Sequence, residues 1–238
     1  MQSLFRLMVT ILIPQIFLLM STAAQPLNTL SPQEKQQGWQ LLFNGHDLKG
    51  WHGYQHQPAT AWEVVNGTLH CKGKGSGFAP VDLVTDDSSF SSFDLQIDWK
   101  IAPRGNSGIL YLVRETQPAS YYTGPEFQII DDVHYPGKLE PWQHTGADYA
   151  MHVPRIRPVH PAGEWNHAEI IIRGAHVQYW LNGQKILEFD MWTPQWYALK
   201  NQGKWKDYPE YGKYHSGHIA LQDHGDEVWF RNIKIKKY

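Results

Sequence analysis

Residues 126–131 read Glu-Phe-Gln-Ile-Ile-Asp, which sets two carboxylates around an amide on one short apolar segment. In a strand Glu126 and Gln128 share a face, while Phe127 and Ile129 point to the opposite, buried one. Strict alternation then exposes Ile130 and buries Asp131. A one-residue bulge near Ile129–Ile130 reverses both, returning Asp131 to the side of Glu126 and Gln128. The expected result is an acid–amide–acid row on an open sheet surface, the equipment of a reaction site. The alternative is a solvated strand face carrying ordinary charges.

A second constellation lies in Gln222-Asp223-His224-Gly225, where residues 222 and 224 share a face opposite Leu221. A histidine there gives or takes a proton near neutral pH. His134, His144, His152 and His160 crowd one loop region, but no pair has the helical i, i+4 context of zinc hydrolases. A divalent cation is possible and not required, so the cofactor stays open. Of the eleven tryptophans, Trp99, Trp180 and Trp229 fall in strand patterns and are expected in the core. Trp142, Trp192, Trp196 and Trp205 fall in loop-like stretches, where an indole can stack on a sugar ring.

The elements that must hold these groups are strands. Phe93, Leu95, Ile97, Trp99 and Ile101 alternate with polar residues, the cleanest half-buried strand of the chain. Asn66-Gly67 and Asn182-Gly183 each predict a tight hairpin. Residues 109–113, 169–172 and 218–221 read as further strands. Val228 and Phe230 are out of phase with Ile233 and Ile235, which predicts a bulge at Arg231–Asn232. Ser31-Pro32-Gln33-Glu34 has capping-box order and predicts a short N-terminal helix. Long loops are expected over roughly 132–161 and 190–216. Many strands and few helices predict an all-β fold, a two-sheet antiparallel β-sandwich.

Residues 1–24 carry Arg6, an apolar run from Leu7 to Met20 and a small-residue Thr22-Ala23-Ala24 end, so a signal peptide cleaved near Ala24 is expected. That predicts a periplasmic or secreted protein with one domain over 25–238 and no membrane attachment after processing. The net charge of −2 argues against nucleic-acid or anionic-membrane binding. The single cysteine, Cys71, excludes an internal disulfide and is expected to be a small buried residue.

Several blocks, in order, resemble the 3-keto-disaccharide hydrolase domain family. They are Leu42-Phe43-Asn44-Gly45 with Leu48-Lys49-Gly50-Trp51, Asn106-Ser107-Gly108-Ile109, Gly124 to Asp131, Gly163-Glu164-Trp165-Asn166, Leu181-Asn182-Gly183, Gly217 to Gly225 and Phe230-Arg231-Asn232-Ile233. The resemblance implies a concanavalin A-like jelly roll with a carbohydrate site on its concave face, and activity on glycosides already oxidised to a ketone at C3. Such a ketone acidifies the C2 proton, so a general base can remove it while the C1–O bond breaks, and water adds to the enone. The partners implied are a 3-keto-glycoside substrate and, in function, a sugar 3-dehydrogenase.

Under that reading Glu126, ionised at neutral pH on a rigid strand, is the expected base, His224 the leading general acid, and Asp131 an orienting group. Gln128, Asn106 and Gln222 are expected to hydrogen-bond the sugar. Arg114 and Lys204 are candidate donors to the enolate oxygen, and His144 and Tyr149 candidate sugar contacts. Glu126, Gln128, Gln222 and His224 should line one concave surface. Three other readings stand beside this one: a retaining jelly-roll glycosidase, a non-catalytic carbohydrate-binding module and a structural sandwich. For the retaining glycosidase, Glu126 and Asp131 would lie about 13 Å apart at Cα, where retention needs carboxyl groups about 5–5.5 Å apart.

Overall fold

The computed structural model describes residues 25–77 and 79–238; the expected signal peptide lies outside them. Thirteen strands follow in chain order. They are β1 Gln40–Leu41, β2 Trp51–Gly53, β3 Trp62–Val65, β4 Thr68–Cys71, β5 Leu83–Thr85, β6 Phe93–Ile101, β7 Asn106–Val113, β8 Glu126–Ile130, β9 Asn166–Arg173, β10 His176–Leu181, β11 Gln184–Asp190, β12 His218–Leu221 and β13 Val228–Lys237. The larger sheet runs β11-β10-β9-β6-β13-β4-β3, with β1 also on β13, and the smaller runs β2-β5-β12-β7-β8. Every pairing is antiparallel. The expected two-sheet sandwich is the observed architecture.

The core lies between the sheets. Phe93, Leu95, Ile97, Trp99 and Ile101 enter it from β6, Val228, Phe230, Ile233 and Ile235 from β13, and Ile109, Tyr111, Phe127, Ile129 and Leu221 from the smaller sheet. Each such side chain contributes roughly 1.5–3 kcal/mol on burial, and together they stabilise a sandwich that has no disulfide; Cys71 is buried as a free thiol. The two sheets also share a polar contact, with the Tyr111 and Tyr179 hydroxyls 2.7 Å apart inside the core.

The local signals resolve as their chemistry requires. Ser31 caps α1, Pro32–Gln36, in a complete capping box. Asn66 (φ 50°) and Asn182 (φ 48°), each followed by a positive-φ glycine, turn the β3–β4 and β10–β11 hairpins. The β13 register shifts between Arg231 and Lys234, with Asn232 at φ 52°. Asn232 and Asn28 there exchange backbone-to-side-chain bonds of 2.7 and 2.8 Å. This bulge brings both halves of the strand to the core.

Three expectations need correction. The stretch 190–216 is not all loop: Thr193 caps a nine-residue helix, α2, Pro194–Gln202, followed by a 3-10 turn over Lys204–Asp207. Trp196 and Trp205 are core residues at 2% and 1% exposure, so neither indole is available to a sugar. Trp180 and Trp229, conversely, are only half-buried while Trp99 is fully buried.

Candidate active site

The site sits on the outer face of the smaller sheet. β7 and β8 pair without a register break, Gly108 opposite Gln128 and Leu110 opposite Glu126. The bulge expected at Ile129–Ile130 is therefore absent. Ile130 stays on the Glu126 face and is nonetheless buried, because a later segment covers the sheet edge. Gln128 N–H donates to Ala147 O, Gly146 N–H to Gln128 O, and Tyr149 N–H to Glu126 O. Thr145 Oγ1 adds bonds to the Ile130 amide and carbonyl. That cover closes the β8 edge and sets Tyr149 beside Glu126.

A cavity of about 240 Å³ opens over this face, lined by Asn106, Tyr121, Glu126, Gln128, Tyr149, Lys204, Tyr208, Gln222 and His224. The four residues expected to share one surface, Glu126, Gln128, Gln222 and His224, do so. Asn106, Tyr149 and Lys204 join them. Asp131, Arg114 and His144 do not. The Asp131 carboxylate turns into the next loop, where it accepts from the amides of Arg104, Val133 and His134 at 2.8–3.1 Å. Arg114 binds Ser216 through Nε and Nη2 at 2.9 and 2.8 Å. His144 Nδ1 lies 3.2 Å from Asp132 Oδ1. The loop histidines are likewise dispersed: His134 meets Asp131, His152 meets Asp148, and His160 meets the Trp165 carbonyl.

Glu126 is 4% exposed, and burial pushes its carboxyl up to about 8, partly offset by the ammonium of Lys204. The sequence predicts a carboxylate ionised at neutral pH; burial instead keeps Glu126 mostly protonated there. Lys204 is lowered by burial and raised by Glu126. Its ammonium lies 4.4 and 4.6 Å from the ring centres of Tyr149 and Trp205, faces that hold a half-desolvated cation. The Trp205 indole N–H donates to Tyr149 O at 3.0 Å, tying the Lys204 turn to the β8 cover. Burial lowers His224, so its half-exposed ring is neutral at pH 7 and acts as a hydrogen-bonding group. This weakens its expected role as the acid.

Asn106 Oδ1 and Gln222 Oε1 are buried without a protein partner among the described residues. Each is an acceptor whose unmet bond costs about 1–3 kcal/mol until a hydroxyl reaches it. Tyr121 and Tyr208 were not singled out from the sequence; their signal was an aromatic pair, Tyr121-Tyr122, just before the Gly124 block. A second cavity of about 210 Å³ adjoins the first and shares Tyr121, Gln222 and His224 with it. Tyr54, Asp82, Pro118 and Asp223 are among the other residues of its wall.

Gly108 explains where the Glu126 carboxyl rests. A Cβ at residue 108 would stand 2.2 Å from Glu126 Oε1 and 2.8 Å from its Cδ. Gly108→Ala should therefore fold, displace the carboxyl and lower turnover by roughly a hundredfold, the cost of about 1 Å of misplacement. Steady-state kinetics beside a circular-dichroism melt checks both halves.

Comparison with known proteins adds a family. The profile of the 3-keto-alpha-glucoside-1,2-lyase-like domain matches residues 38–236. A Bacteroides thetaiotaomicron protein named 3-keto-disaccharide hydrolase is 32% identical over 91% of this chain and 84% of its own length. Two Parabacteroides distasonis crystal structures, each described as a candidate glycosyl hydrolase, are also similar. One has TM-score 0.83 and 40% identity, covering 90% of this chain and 100% of its own. The other has TM-score 0.66 and 30% identity, covering 84% and 99%.

Proposed function

Because the chain belongs to the 3-keto-alpha-glucoside-1,2-lyase-like domain family, we propose that it cleaves glycosides carrying a ketone at C3 by removing the C2 proton. The observation that carries this reading is Glu126, a buried carboxyl raised to about 8 beside the ammonium of Lys204. An ordinary carboxylate is a poor base toward a C–H bond, and raising its pKa improves the match. A site that only binds sugar has no use for that pairing.

The steps balance around one carboxyl group. The Glu126 carboxylate takes the C2 proton, and the C–H electrons form an enolate whose O3 charge meets Lys204. The enolate collapses, the C1–O bond breaks, and the proton on Glu126 passes to the departing oxygen. Hydration reverses the sequence with water in place of the sugar: Glu126 takes a water proton as oxygen adds to C1, then returns it to C2. No separate nucleophile is needed. Asn106, Gln128 and Gln222 hold ring hydroxyls, and His224, on the wall of both cavities, hydrogen-bonds the linking oxygen. Each cavity falls below the roughly 300–1,000 Å³ of a drug-sized site, so each suits one sugar ring. The ketone must come from an upstream oxidation of the sugar at C3.

The retaining pair read from the sequence, Glu126 with Asp131, is not assembled, since Asp131 faces the loop amides rather than Glu126. The test is turnover of a 3-keto disaccharide beside its unoxidised parent. Cleavage of the ketone alone is the expected result; equal cleavage of both would overturn the reading.

A further inference from the structure

Glu126 lies on β8, one edge of the smaller sheet, and a different cluster occupies the other edge, four strands or about 19 Å away. His52 on β2 faces Val84 of β5. His56 follows from a turn in which Gln55 and His56 both take positive φ, 54° and 58°. Glu115 comes two residues after β7, and His218 opens β12. Ligand atoms of His52, His56 and Glu115 lie within 4.8 Å of one another. Glu115 Oε2 is 3.2 Å from His52 Nε2 and 3.6 Å from His218 Nε2.

The other ring nitrogens decide what these atoms can do. His218 Nδ1 is 2.6 Å from the Thr85 carbonyl, which only accepts, so Nδ1 carries the proton. Its Nε2 faces the Glu115 carboxylate. His52 repeats the pattern, with Nδ1 2.7 Å from Asp86 Oδ1 and Nε2 toward Glu115. Nitrogen and carboxylate oxygen atoms of His52, His56 and Glu115 thus lie within reach of a single cation. A histidine whose far nitrogen donates to a carboxylate or carbonyl is the usual form of a metal ligand. Ligands bound at 2.0–2.2 Å in a tetrahedron stand about 3.3–3.6 Å apart, and the 3.2 Å between His52 Nε2 and Glu115 Oε2 falls close to that.

We infer that His52, His56 and Glu115 form a binding site for a divalent transition metal of the zinc class, with Asp86 orienting the His52 ring and His218 packed against Glu115. Its role is structural. It joins β2, the 54–56 turn and the segment after β7. Tyr54, next to this cluster, donates to Gln117 O at 2.7 Å and walls the cavity beside the candidate active site. The competing occupant is a proton: a doubly bonded imidazolium at His52 between Asp86 and Glu115.

Calorimetric titration of the purified, chelator-stripped protein with zinc alone distinguishes them, with metal content measured after dialysis. One equivalent should bind at micromolar Kd or tighter. His56→Ala and Glu115→Gln should each weaken it at least about a hundredfold and Asp86→Asn by about 10–100-fold, while His134→Ala leaves it unchanged. The exposed His56 keeps the test usable if Glu115→Gln misfolds. No saturable zinc binding below about a hundred times micromolar Kd, or binding equal in the His56 and Glu115 variants, would overturn the site and leave the ion pair.

Discussion

Glu126→Gln is expected to lower turnover of a 3-keto-glycoside by at least about a hundredfold and, at the same time, to make the protein more stable. The first effect follows from losing a general base, worth about 10²–10⁴. The second follows from the sign of the pKa shift. The folded-state value of about 8 exceeds the ordinary 4.5, so the folded protein holds this proton more tightly than the unfolded chain. The stability that proton binding brings is fully present below about 4.5 and is lost as pH rises through about 8. Glutamine cannot ionise and escapes the loss. The gain should be on the order of a few kcal/mol at pH 8, near zero at pH 4, and visible as several degrees of Tm. Melts at both pH values, beside kinetics, check the pair of effects. Unchanged Tm at pH 8 with full activity would remove Glu126 from the mechanism.

Lys204→Met should be the next most damaging change. Methionine keeps the length and apolar stem of the lysine but removes the one cation that offsets burial of Glu126. Two effects compound: the Glu126 carboxyl rises further above 8, and O3 of the enolate loses its partner. Removing a group of that second kind costs about 10²–10³ in turnover. In the native protein kcat/KM should rise with pH through about 8, because the base must be ionised, and fall again below the ordinary lysine range as Lys204 deprotonates. In the variant the rising limb should move upward and the falling limb disappear. A rising limb still near 8, with turnover within tenfold of native, would show that Lys204 stands outside the reaction.

The parts of this site that were legible in the sequence are those fixed by nearby residues. The period of two placed Glu126 with Gln128, and the β12 segment placed Gln222 with His224. The Asn232 bulge was readable because two apolar pairs on one strand fell out of phase. Asp131 was misplaced for a physical reason. Ile130 looked too apolar to face out, and a bulge was the only local remedy. The actual remedy lies at residues 144–149, which pair along β8 and bury Ile130 without altering its register. Arg114 and His144 failed similarly, since Ser216 and Asp132 hold them, and side-chain partners across loops leave no periodic trace. The protonation of Glu126 depends on its burial, which the segment carrying Tyr149 completes, and is opposed by Lys204 from another segment; its own strand reveals neither.

The central claim is that a proton leaves C2. Its most direct measurement uses a 3-keto disaccharide deuterated at C2, compared with the protiated compound, and a second reaction in heavy water with a no-enzyme control for exchange of the free keto sugar. The account predicts a primary isotope effect on cleavage and one solvent deuterium at C2 of the hydrated product. Equal rates for the two substrates, with C2 of the product free of solvent deuterium, would contradict it.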